Sequence, residues 1–381
     1  MKLSVLAILF TTKFVPLVLA ILGFGLLVAV HEFGHFLFCK IFGIDTPTFS
    51  IGMGPTLFRR QIGKTNFRIA LIPIGGYVEI AGISEIGQGE QKQAREEGPN
   101  TFGSKPYWQK FLVLTGGILF NIMFAYAAFS SLYMVGLPVV KEVELFVEKA
   151  IACEDGIVNE LSVGDKLVAI DGYKLPKEPD KLFPLLRIIG QKALQSKSEL
   201  VKIGVERDGK MVYIDVLSEA NGTKLVRGLI AGAQLERRPV LVEYEQYPFF
   251  TAIGKGIAKT HEWIGKVFSS LKMLFTKRNI KDFGGPIMIV SYSFKMAQRG
   301  LLWLFVFLAI ISINLAVINI LPIGALDGGQ LLFETIEAII RRKIPYMIRM
   351  GVNLVSWLLI LSLILFLSYQ DISKAIFGRC R

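Results

Sequence analysis

The sequence of 381 residues is poor in charged side chains and in cysteine. Asp, Glu, Lys and Arg make up 19% of the residues, whereas about a quarter is usual in soluble globular domains. Hydrophobic residues reach 52%, which excludes a disordered chain. The three cysteines, Cys39, Cys153 and Cys380, are too few and too scattered for a disulfide framework or a CxxC metal site. The composition therefore favours a membrane protein whose cysteines are ordinary thiols.

Four apolar stretches are long enough to cross a bilayer, which takes about 20 helical residues. They cover residues 14–38, 111–137, 301–321 and 352–367. The first stretch is longer than the core of a signal peptide and has no clear small-x-small cleavage site, so we interpret it as a span. The sequence thus predicts a polytopic α-helical membrane protein with about four transmembrane helices.

Lysine and arginine concentrate in residues 40–110, between the first two spans, and in residues 341–349, between the last two. If all four segments cross the membrane, both loops lie on one side, and the positive-inside rule assigns that side to the cytoplasm. The net charge of +12 then reflects membrane topology, and no nucleic-acid partner is expected. The region between the second and third spans is expected outside.

That outer region begins with a soluble module at residues 139–248. It contains a turn-strand-turn at residues 164–172 and two strand-like runs joined at Asp208-Gly209, a strong hairpin signal. These patterns predict a small α/β domain. Apolar residues then recur at three- and four-residue steps over residues 249–275, with lysines between them. This stripe predicts a helix that lies either on the membrane surface or on the soluble module.

Histidine is also rare: the chain has three, and two of them stand in His31-Glu32-Phe33-Gly34-His35, within the first span. Residues four apart lie on one face of a helix, so both imidazoles can reach a single metal ion with Glu32 beside it. An acidic residue at membrane depth costs about 2.5–3.5 kcal/mol on insertion scales, so ionisable residues there are functional by default. The pattern predicts a catalytic metal site inside the membrane.

Catalytic zinc usually takes three protein ligands, so the histidine pair needs a third. His261 is the one remaining histidine, but it lies in the lysine-rich segment on the predicted outer side, where we expect a solvated surface residue. Asp327 follows the third span at the depth expected for the histidine pair. Pro322 interrupts the preceding helix, and Gly328-Gly329 is expected to allow a tight turn around an inward-facing carboxylate. Asp327 is therefore the predicted third ligand.

Three features together resemble the site-2 protease family. They are the His-Glu-Phe-Gly-His motif, the Leu-Asp-Gly-Gly motif at residues 326–329, and a PDZ-like stretch at residues 164–172. The chain is most similar to the bacterial regulated intramembrane zinc metalloproteases with an extracytoplasmic PDZ domain. The resemblance implies four regions: two transmembrane helices and a membrane-associated β-hairpin in residues 1–138, a PDZ-like domain in 139–238, an amphipathic interfacial helix and linker in 239–300, and two transmembrane helices in 301–381.

The resemblance also implies the composition of the site. One Zn²⁺ per chain would be held by His31, His35 and Asp327, with Glu32 as the general base. Asn121, in a Gly-x-x-x-Asn motif, and Asn319, in an Asn-x-x-Pro stretch, would both hydrogen-bond the substrate backbone. Two positions depart from the family pattern, because Gly324 and Ile118 stand where many relatives carry proline.

The implied activity is hydrolysis of a peptide bond in or near the transmembrane segment of single-span membrane proteins, such as anti-sigma factors or remnant signal peptides. The implied location is the bacterial inner membrane, with the active site toward the cytoplasm, the PDZ-like domain outside, and an upstream site-1 protease acting on the same substrate. The outer module would then act as a gate.

A substrate helix must unwind before its carbonyls can react. Residues 66–74 are strand-like and end at Gly75-Gly76, which we interpret as a turn. Their edge could pair with the unwound substrate, or the hairpin could be purely structural. Two other functions stay open: a non-catalytic membrane scaffold, and a zinc transporter or sensor, which would not need Glu32.

Overall fold

The computed structural model describes residues 10–83, 98–147, 161–195, 200–217, 235–277 and 284–376. The chain divides into two compact units. The first comprises Met1–Leu137, Gln246–Ile280 and Met288–Phe366, and the second comprises Pro138–Glu245, Lys281–Ile287 and Leu367–Arg381. Cys39 is buried and forms no disulfide within the described residues, whereas the predictions for Cys153 and Cys380 fall outside them.

The α-helices of the described residues are α1 (Val15–Ile41), α2 (Tyr107–Val135), α3 (Pro179–Gln195), α4 (Phe249–Lys277), α5 (Pro286–Arg299), α6 (Leu301–Asn319), α7 (Asp327–Ile340) and α8 (Tyr346–Ile376). Four helical stretches are long and apolar enough to cross a membrane: Thr12–Ile41, Tyr107–Val135, Leu301–Asn319 and Tyr346–Ser373. They overlap the four predicted spans, so the prediction of a polytopic α-helical protein is confirmed at this level.

Helices α1 and α2 cross at a pair of glycines. A Cβ atom added to Gly34 would collide with the carbonyl oxygen of Gly116, and one added to Gly116 would lie 2.6 Å from the carbonyl oxygen of Gly34. The two backbones are therefore in direct contact, as small residues permit between membrane helices. This crossing brings the histidine turn of α1 against α2.

Helix α8 is apolar outside and polar inside. Its exposed side chains include Leu354, Leu358 and Leu359, whereas Asn353 and Ser356 are buried. A helix on the surface of a water-soluble protein shows the reverse arrangement. The pattern fits a helix that turns its apolar face to lipid and its polar side chains to neighbouring segments.

Strands β1 (Thr48–Ile62) and β2 (Thr65–Glu79) form the predicted hairpin, in which Ile62 pairs with Thr65. The turn lies at Gly63, whose φ is +57°, a value that favours glycine. Gly75 and Gly76 therefore lie within β2, and the interpretation of this pair as the turn is wrong. Exposed apolar side chains on the hairpin fit the predicted membrane association; they include Leu57, Phe58 and Ile62.

The hairpin strands bend, so the sheet has more than two pairing segments. Residues 48–51 pair on one side with residues 66–69 and on the other side with residues 76–79. Residues 65–70 also pair with residues 56–62. Because residues 66–69 are paired on both sides, the interpretation of this segment as an exposed docking edge is wrong. Within the described hairpin, residues 56–62 and 76–79 are paired on one side only, and Met53 and Ile72 form a further isolated pair with each other.

The sheet of the second unit is built from β3 (Leu137–Val147), β4 (Lys166–Ile170), β5 (Tyr173–Lys174), β6 (Leu200–Arg207), β7 (Lys210–Leu217) and β8 (Leu235–Glu245). Its order is β7-β6-β4-β3-β8, and β5 pairs with β4. The predicted turn at Asp208-Gly209 is confirmed, since Arg207 pairs with Lys210 across two residues of positive φ. A small mixed α/β unit is thus present, and its identity as a PDZ domain stays a prediction.

A buried ion pair joins β6 to the turn before β4 in this unit. The Nε and Nη2 atoms of Arg207 donate to Oδ1 and Oδ2 of Asp165, at 2.8 and 2.7 Å, and the Asp165 side chain is 2% exposed. The hydrogen bonds from Arg207 lower the pKa of the Asp165 carboxyl below its usual value. In the folded protein, a bidentate ion pair with Arg207 therefore replaces the hydration of the Asp165 carboxylate.

Helix α4 is the predicted lysine-rich helix, and it packs against α2. A Cβ atom added to Gly256 would collide with the Ser130 side chain, and the rings of Tyr247 and Tyr133 lie edge to face at 5.7 Å. The apolar stripe correctly predicted a helix, but it did not identify α2 as a packing partner. The contact between α4 and α2 depends on the close approach of Gly256 to Ser130, which a hydropathy pattern does not predict.

Candidate metal centre

Three donor atoms converge where α1 meets the start of α7. The Nε2 atom of His31 lies 3.4 Å from Oδ2 of Asp327, and Nε2 of His35 lies 3.5 Å from the same oxygen. The two Nε2 atoms are 3.4 Å apart. Among the described residues, these three form the group of His, Cys, Asp and Glu side chains that could hold a metal ion. The structure thus brings together the three residues that the sequence singled out as ligands.

The spacing of these atoms fits zinc. Ligand atoms at the corners of a tetrahedron with bonds of about 2.0–2.1 Å stand about 3.3–3.4 Å from one another. The three observed separations, 3.4, 3.5 and 3.4 Å, match that value. In addition, Oδ2 of Asp327 is buried and lacks a hydrogen-bond partner among the described residues. A buried carboxylate oxygen in that state is suited to bind a cation, and the His-His-carboxylate set is typical of catalytic zinc.

His35 is oriented by α2. Its Nδ1–H donates to the carbonyl oxygen of Val113 at 2.8 Å, inside the α1–α2 contact. A carbonyl accepts only, so Nδ1 carries the proton and Nε2 presents its lone pair. Such a hydrogen bond fixes both the tautomer and the ring plane of a metal ligand.

Gly117 of α2 makes room for both imidazoles. A Cβ atom there would collide with Nε2 of His35 and would lie 2.5 Å from Cε1 of His31. The sequence pattern indicated Gly117 only as part of the Gly-x-x-x-Asn motif, and its steric role was not predicted. The Gly116-Gly117 pair was the available signal, since two adjacent glycines in a span indicate a close approach.

Asp327 is the first residue of α7. The positive end of the helix dipole favours a carboxylate at this position. The glycines that follow are needed for a different reason from the predicted tight turn. Neither has a positive φ, but a Cβ atom at Gly328 would collide with the carbonyl oxygen of Ile320, and one at Gly329 with that of Ile323. The first turn of α7 therefore packs directly on the backbone of the preceding loop.

The other three predicted site residues surround this cluster. The Nδ2 atom of Asn319 lies 3.4 Å from Nε2 of His31. The side chain of Asn121, which is 0% exposed, places Nδ2 at 3.1 Å from Nδ1 of His31. Glu32 is half-buried, and β2 runs beside it, since a Cβ atom added to Gly76 would lie 3.2 Å from Cγ of Glu32.

His261 is not part of the cluster. It is exposed on α4, and its Nε2 atom lies 2.8 Å from the hydroxyl of Tyr126. The expectation that it lies on the surface outside the metal site agrees with this placement. The hydrogen bond to Tyr126 was not predicted, because it depends on the α2–α4 contact.

The sequence is similar to known families and proteins along most of its length. The profile of peptidase family M50 matches residues 19–363. A protein of Clostridium perfringens named as a candidate zinc metalloprotease is 31% identical over 358 residues, which are 93% of this chain and 98% of that protein. Proteins with the same kind of name from Fusobacterium nucleatum subsp. nucleatum and from Nostoc sp. are each 30% identical, over 93% of this chain and 98% and 95% of theirs.

Proposed function

The chain belongs to peptidase family M50, and we propose that it hydrolyses a peptide bond in or near the transmembrane segment of single-span membrane proteins. It is a membrane zinc metalloprotease: the family and the names of its relatives give the chemistry, and the four apolar helices give the location. Membership of this family also implies substrates embedded in the membrane. The convergence of three donor atoms at zinc spacing is the observation that carries the proposal.

His31, His35 and Asp327 would hold the metal ion. Bound zinc lowers the pKa of a water molecule to about 7 and polarises a carbonyl group. Glu32 accepts the proton of the attacking water and delivers it to the amide nitrogen that leaves. Its position one residue after His31 supports this role, because the side chain then points beside the ligand pair and not away from it.

The Asn319 amide is suited to donate a hydrogen bond to the carbonyl oxygen of the scissile peptide. Its Nδ2 atom faces Nε2 of His31 at 3.4 Å. Metal binding would occupy the lone pair of that nitrogen, which leaves the amide donor of Asn319 available for another acceptor at the centre. A donor placed where negative charge develops lowers the barrier of acyl transfer.

The Asn121 side chain is better placed to hydrogen-bond His31 than to contact the substrate, which is the role that the resemblance implies. When Nε2 of His31 binds a metal, Nδ1 carries the proton and needs an acceptor. A half-turn of the Asn121 amide about χ2 would exchange its nitrogen and oxygen and supply one. Two observations support this exchange: Oδ1 is buried without a hydrogen-bond partner among the described residues, and the side chain has no exposure.

The substrate backbone would be received at residues 76–79 of β2. This segment is paired on one side only within the described hairpin, and Gly76 lies against Glu32 and Val28 of α1. An extended peptide that adds to this edge would run past the proposed general base. The proposal therefore shifts the docking role from residues 66–74, of which residues 66–69 are paired on both sides, to residues 76–79 of the same strand.

The proposed location is the bacterial inner membrane, with the metal centre toward the cytoplasm and the second unit outside. The charge distribution supports this orientation, since residues 341–349 carry four basic and no acidic side chains. Accessibility of a single cysteine at Arg342 to an impermeant thiol reagent tests it: labelling in intact cells would reverse the assignment. An upstream site-1 protease is tested by comparing reporters with intact and trimmed external domains.

The decisive experiment compares wild type, Glu32→Gln and His261→Gln, each purified and assayed for bound zinc and for cleavage of a single-span reporter. We expect about one zinc per chain in all three proteins, cleavage by wild type and His261→Gln, and none by Glu32→Gln. Full activity of Glu32→Gln would remove the peptidase mechanism and favour a zinc transporter or sensor. Zinc binding without cleavage of any reporter by wild type would favour a scaffold.

A further inference from the structure

The loop that precedes the proposed ligand Asp327 is held by polar contacts to α8. The backbone N–H of Gly324 donates to Oγ of Ser356 at 3.1 Å. Nε2 of Gln330 donates to the carbonyl oxygen of Gly324 at 2.7 Å, and it lies 3.3 Å from Oδ1 of Asn353, which also accepts. Both backbone polar groups of Gly324 are therefore satisfied by side chains. Gly324 is therefore the residue through which α8 contacts the loop before Asp327.

Asn353 and Ser356 are polar side chains buried on a helix that is mostly apolar. Asn353 is 6% exposed and Ser356 is 7% exposed, whereas many apolar side chains of the same helix are exposed. Polar groups placed inward in a membrane helix are costly and usually functional. Asn353 and Ser356 do not touch the metal cluster in the described contacts, so their function must act through the loop.

The space around Gly324 is filled by the same two residues. A Cβ atom at Gly324 would lie 2.8 Å from Oδ1 of Asn353 and 3.0 Å from Oγ of Ser356. The contact thus fits glycine closely. A proline at this position would also lack the N–H that donates to Ser356.

The loop transmits this anchoring to Asp327 because it packs backbone to backbone on α7. A Cβ atom at Gly329 would collide with the carbonyl oxygen of Ile323 and would lie 2.7 Å from Cα of Gly324. The N–H groups of Gly329 and Gln330 both donate to the carbonyl oxygen of Leu326, at 3.0 and 3.1 Å. A displacement of Gly324 therefore cannot be absorbed before Asp327.

We propose that Asn353 and Ser356 of α8 are positioning residues, which act with Gln330 through the Gly324 backbone to hold the Asp327 carboxylate at ligand distance from His31 and His35. The inference rests on the proposed role of Asp327 as a ligand. It predicts that metal affinity depends on two side chains of the fourth span, which supplies no ligand.

The test measures the zinc dissociation constant of full-length protein in detergent, by competition with a chelating dye. Ser356→Ala and Asn353→Ala are expected to weaken binding about tenfold or more, the usual effect of removing a group that orients a ligand. Ser362→Ala is the matched control, because Ser362 lies on the same helix and its hydroxyl bonds only the Leu359 carbonyl among the described contacts. It should bind zinc as wild type does.

Two further measurements separate positioning from general stability. The absorption spectrum of the cobalt-substituted protein should change in Ser356→Ala and Asn353→Ala, because the geometry at the ion changes, while thermal unfolding of the metal-free proteins should match the control. Ser356→Cys replaces Ser356→Ala if the latter does not fold, since it fills the space but accepts a hydrogen bond poorly. Gly324→Ala combined with Asn353→Ala should cost less affinity than the two changes summed.

The Asp327→Ala variant distinguishes a failure of the ligand assignment from a failure of the positioning role. If Asp327→Ala keeps wild-type zinc affinity, the ligand assignment in the proposed function is wrong. If Asp327→Ala loses zinc while the Ser356 and Asn353 variants bind it as tightly as Ser362→Ala, with unchanged cobalt spectra, the positioning role is overturned and the proposed function stands.

Discussion

The candidate metal centre depends on the residues around each imidazole as much as on the imidazoles themselves. His35 is oriented by the Val113 carbonyl, and Gly117 leaves the space in which both rings stand. A histidine pair at i and i+4 places two nitrogens on one helix face, but only these neighbours select the tautomer that can bind a metal. Residues that contribute a backbone oxygen or no side chain at all are thus part of the site.

The proposed role of Asn121 is tested by two substitutions with opposite expected results. Asn121→Leu removes the acceptor for Nδ1–H of His31 and should weaken zinc binding about 10- to 100-fold. Asn121→Asp keeps an acceptor oxygen and should retain zinc. Dissociation constants for zinc and steady-state kinetics on the reporter measure both effects.

Asn314→Leu is the matched control, because the Asn314 amide bonds the Ile310 carbonyl of its own helix. If Asn121→Leu raises KM and leaves zinc affinity unchanged, Asn121 contacts substrate, as the resemblance implied.

The sequence predicted the local part of the centre and missed the part that depends on helix crossings. His31, Glu32 and His35 lie within one helical turn, so their pattern is complete in five residues. The predicted third ligand, Asp327, has been brought beside them. Val113 and Gly117 could not be predicted, because their roles exist only once α1 and α2 cross at Gly34 and Gly116. A crossing point depends on packing between distant segments, which a hydropathy pattern does not encode.

At the scale of elements, the hairpin was predicted correctly in kind and wrongly in its internal order. Alternating apolar residues and glycines indicated strands near the membrane. They did not indicate that the strands bend at Gly52 and Gly75, whose φ values are +87° and +82°. The bends create extra pairing segments and move the available edge to residues 76–79. Strand bends of this kind follow from glycine conformations that periodicity does not resolve.

The two one-sided segments of the hairpin can be compared by photo-crosslinking. We expect a benzophenone amino acid at Tyr77, in the segment beside Glu32, to crosslink a reporter held by the Glu32→Gln protein. The same group at Phe58, in the other one-sided segment, should give little product. Crosslinked adducts on a gel measure the difference. Equal adducts at both positions, or adducts at Phe58 alone, would contradict docking at residues 76–79.

At the scale of the whole molecule, the chain combines a unit rich in apolar helices with a unit whose hydrophobic core is typical of a water-soluble domain. The core of the second unit is formed by buried aliphatic side chains such as Leu167, Ile203 and Val205. Composition averaged over the chain showed the membrane character, and the turn motifs showed the second unit. The assignment of residues 284–287 and 367–376 to the second unit was not predicted, because it depends on long-range contacts.

Acid should destabilise the second unit. The Arg207 contact lowers the pKa of Asp165, so the folded state favours the ionised carboxylate. The resulting stability is fully present above the ordinary carboxyl pKa of about 3.9 and is lost as pH falls through the lowered value. Asp165→Asn should cost about 2 kcal/mol at pH 7 and flatten this pH dependence.

Hydrogen exchange on the intact chain measures this effect in both units at once. We expect faster exchange of β4 and β6 amides in Asp165→Asn and unchanged exchange in α1 and α2. Asp171→Asn is the control, because Asp171 occupies a turn with φ of 51°, which asparagine tolerates. Wild-type exchange rates in Asp165→Asn at neutral pH would show that this ion pair does not stabilise the unit.

The order of the three proposed ligands along the chain has a consequence for biosynthesis. His31 and His35 are translated early, whereas Asp327 follows the third span. At about 5–20 residues per second, a ribosome needs roughly 15–60 s to reach Asp327 after His35. During that interval the inserted α1 holds two of the proposed donors, fewer than catalytic zinc requires. Each newly made molecule therefore gains its hydrolytic capacity only when membrane insertion of the third span is complete.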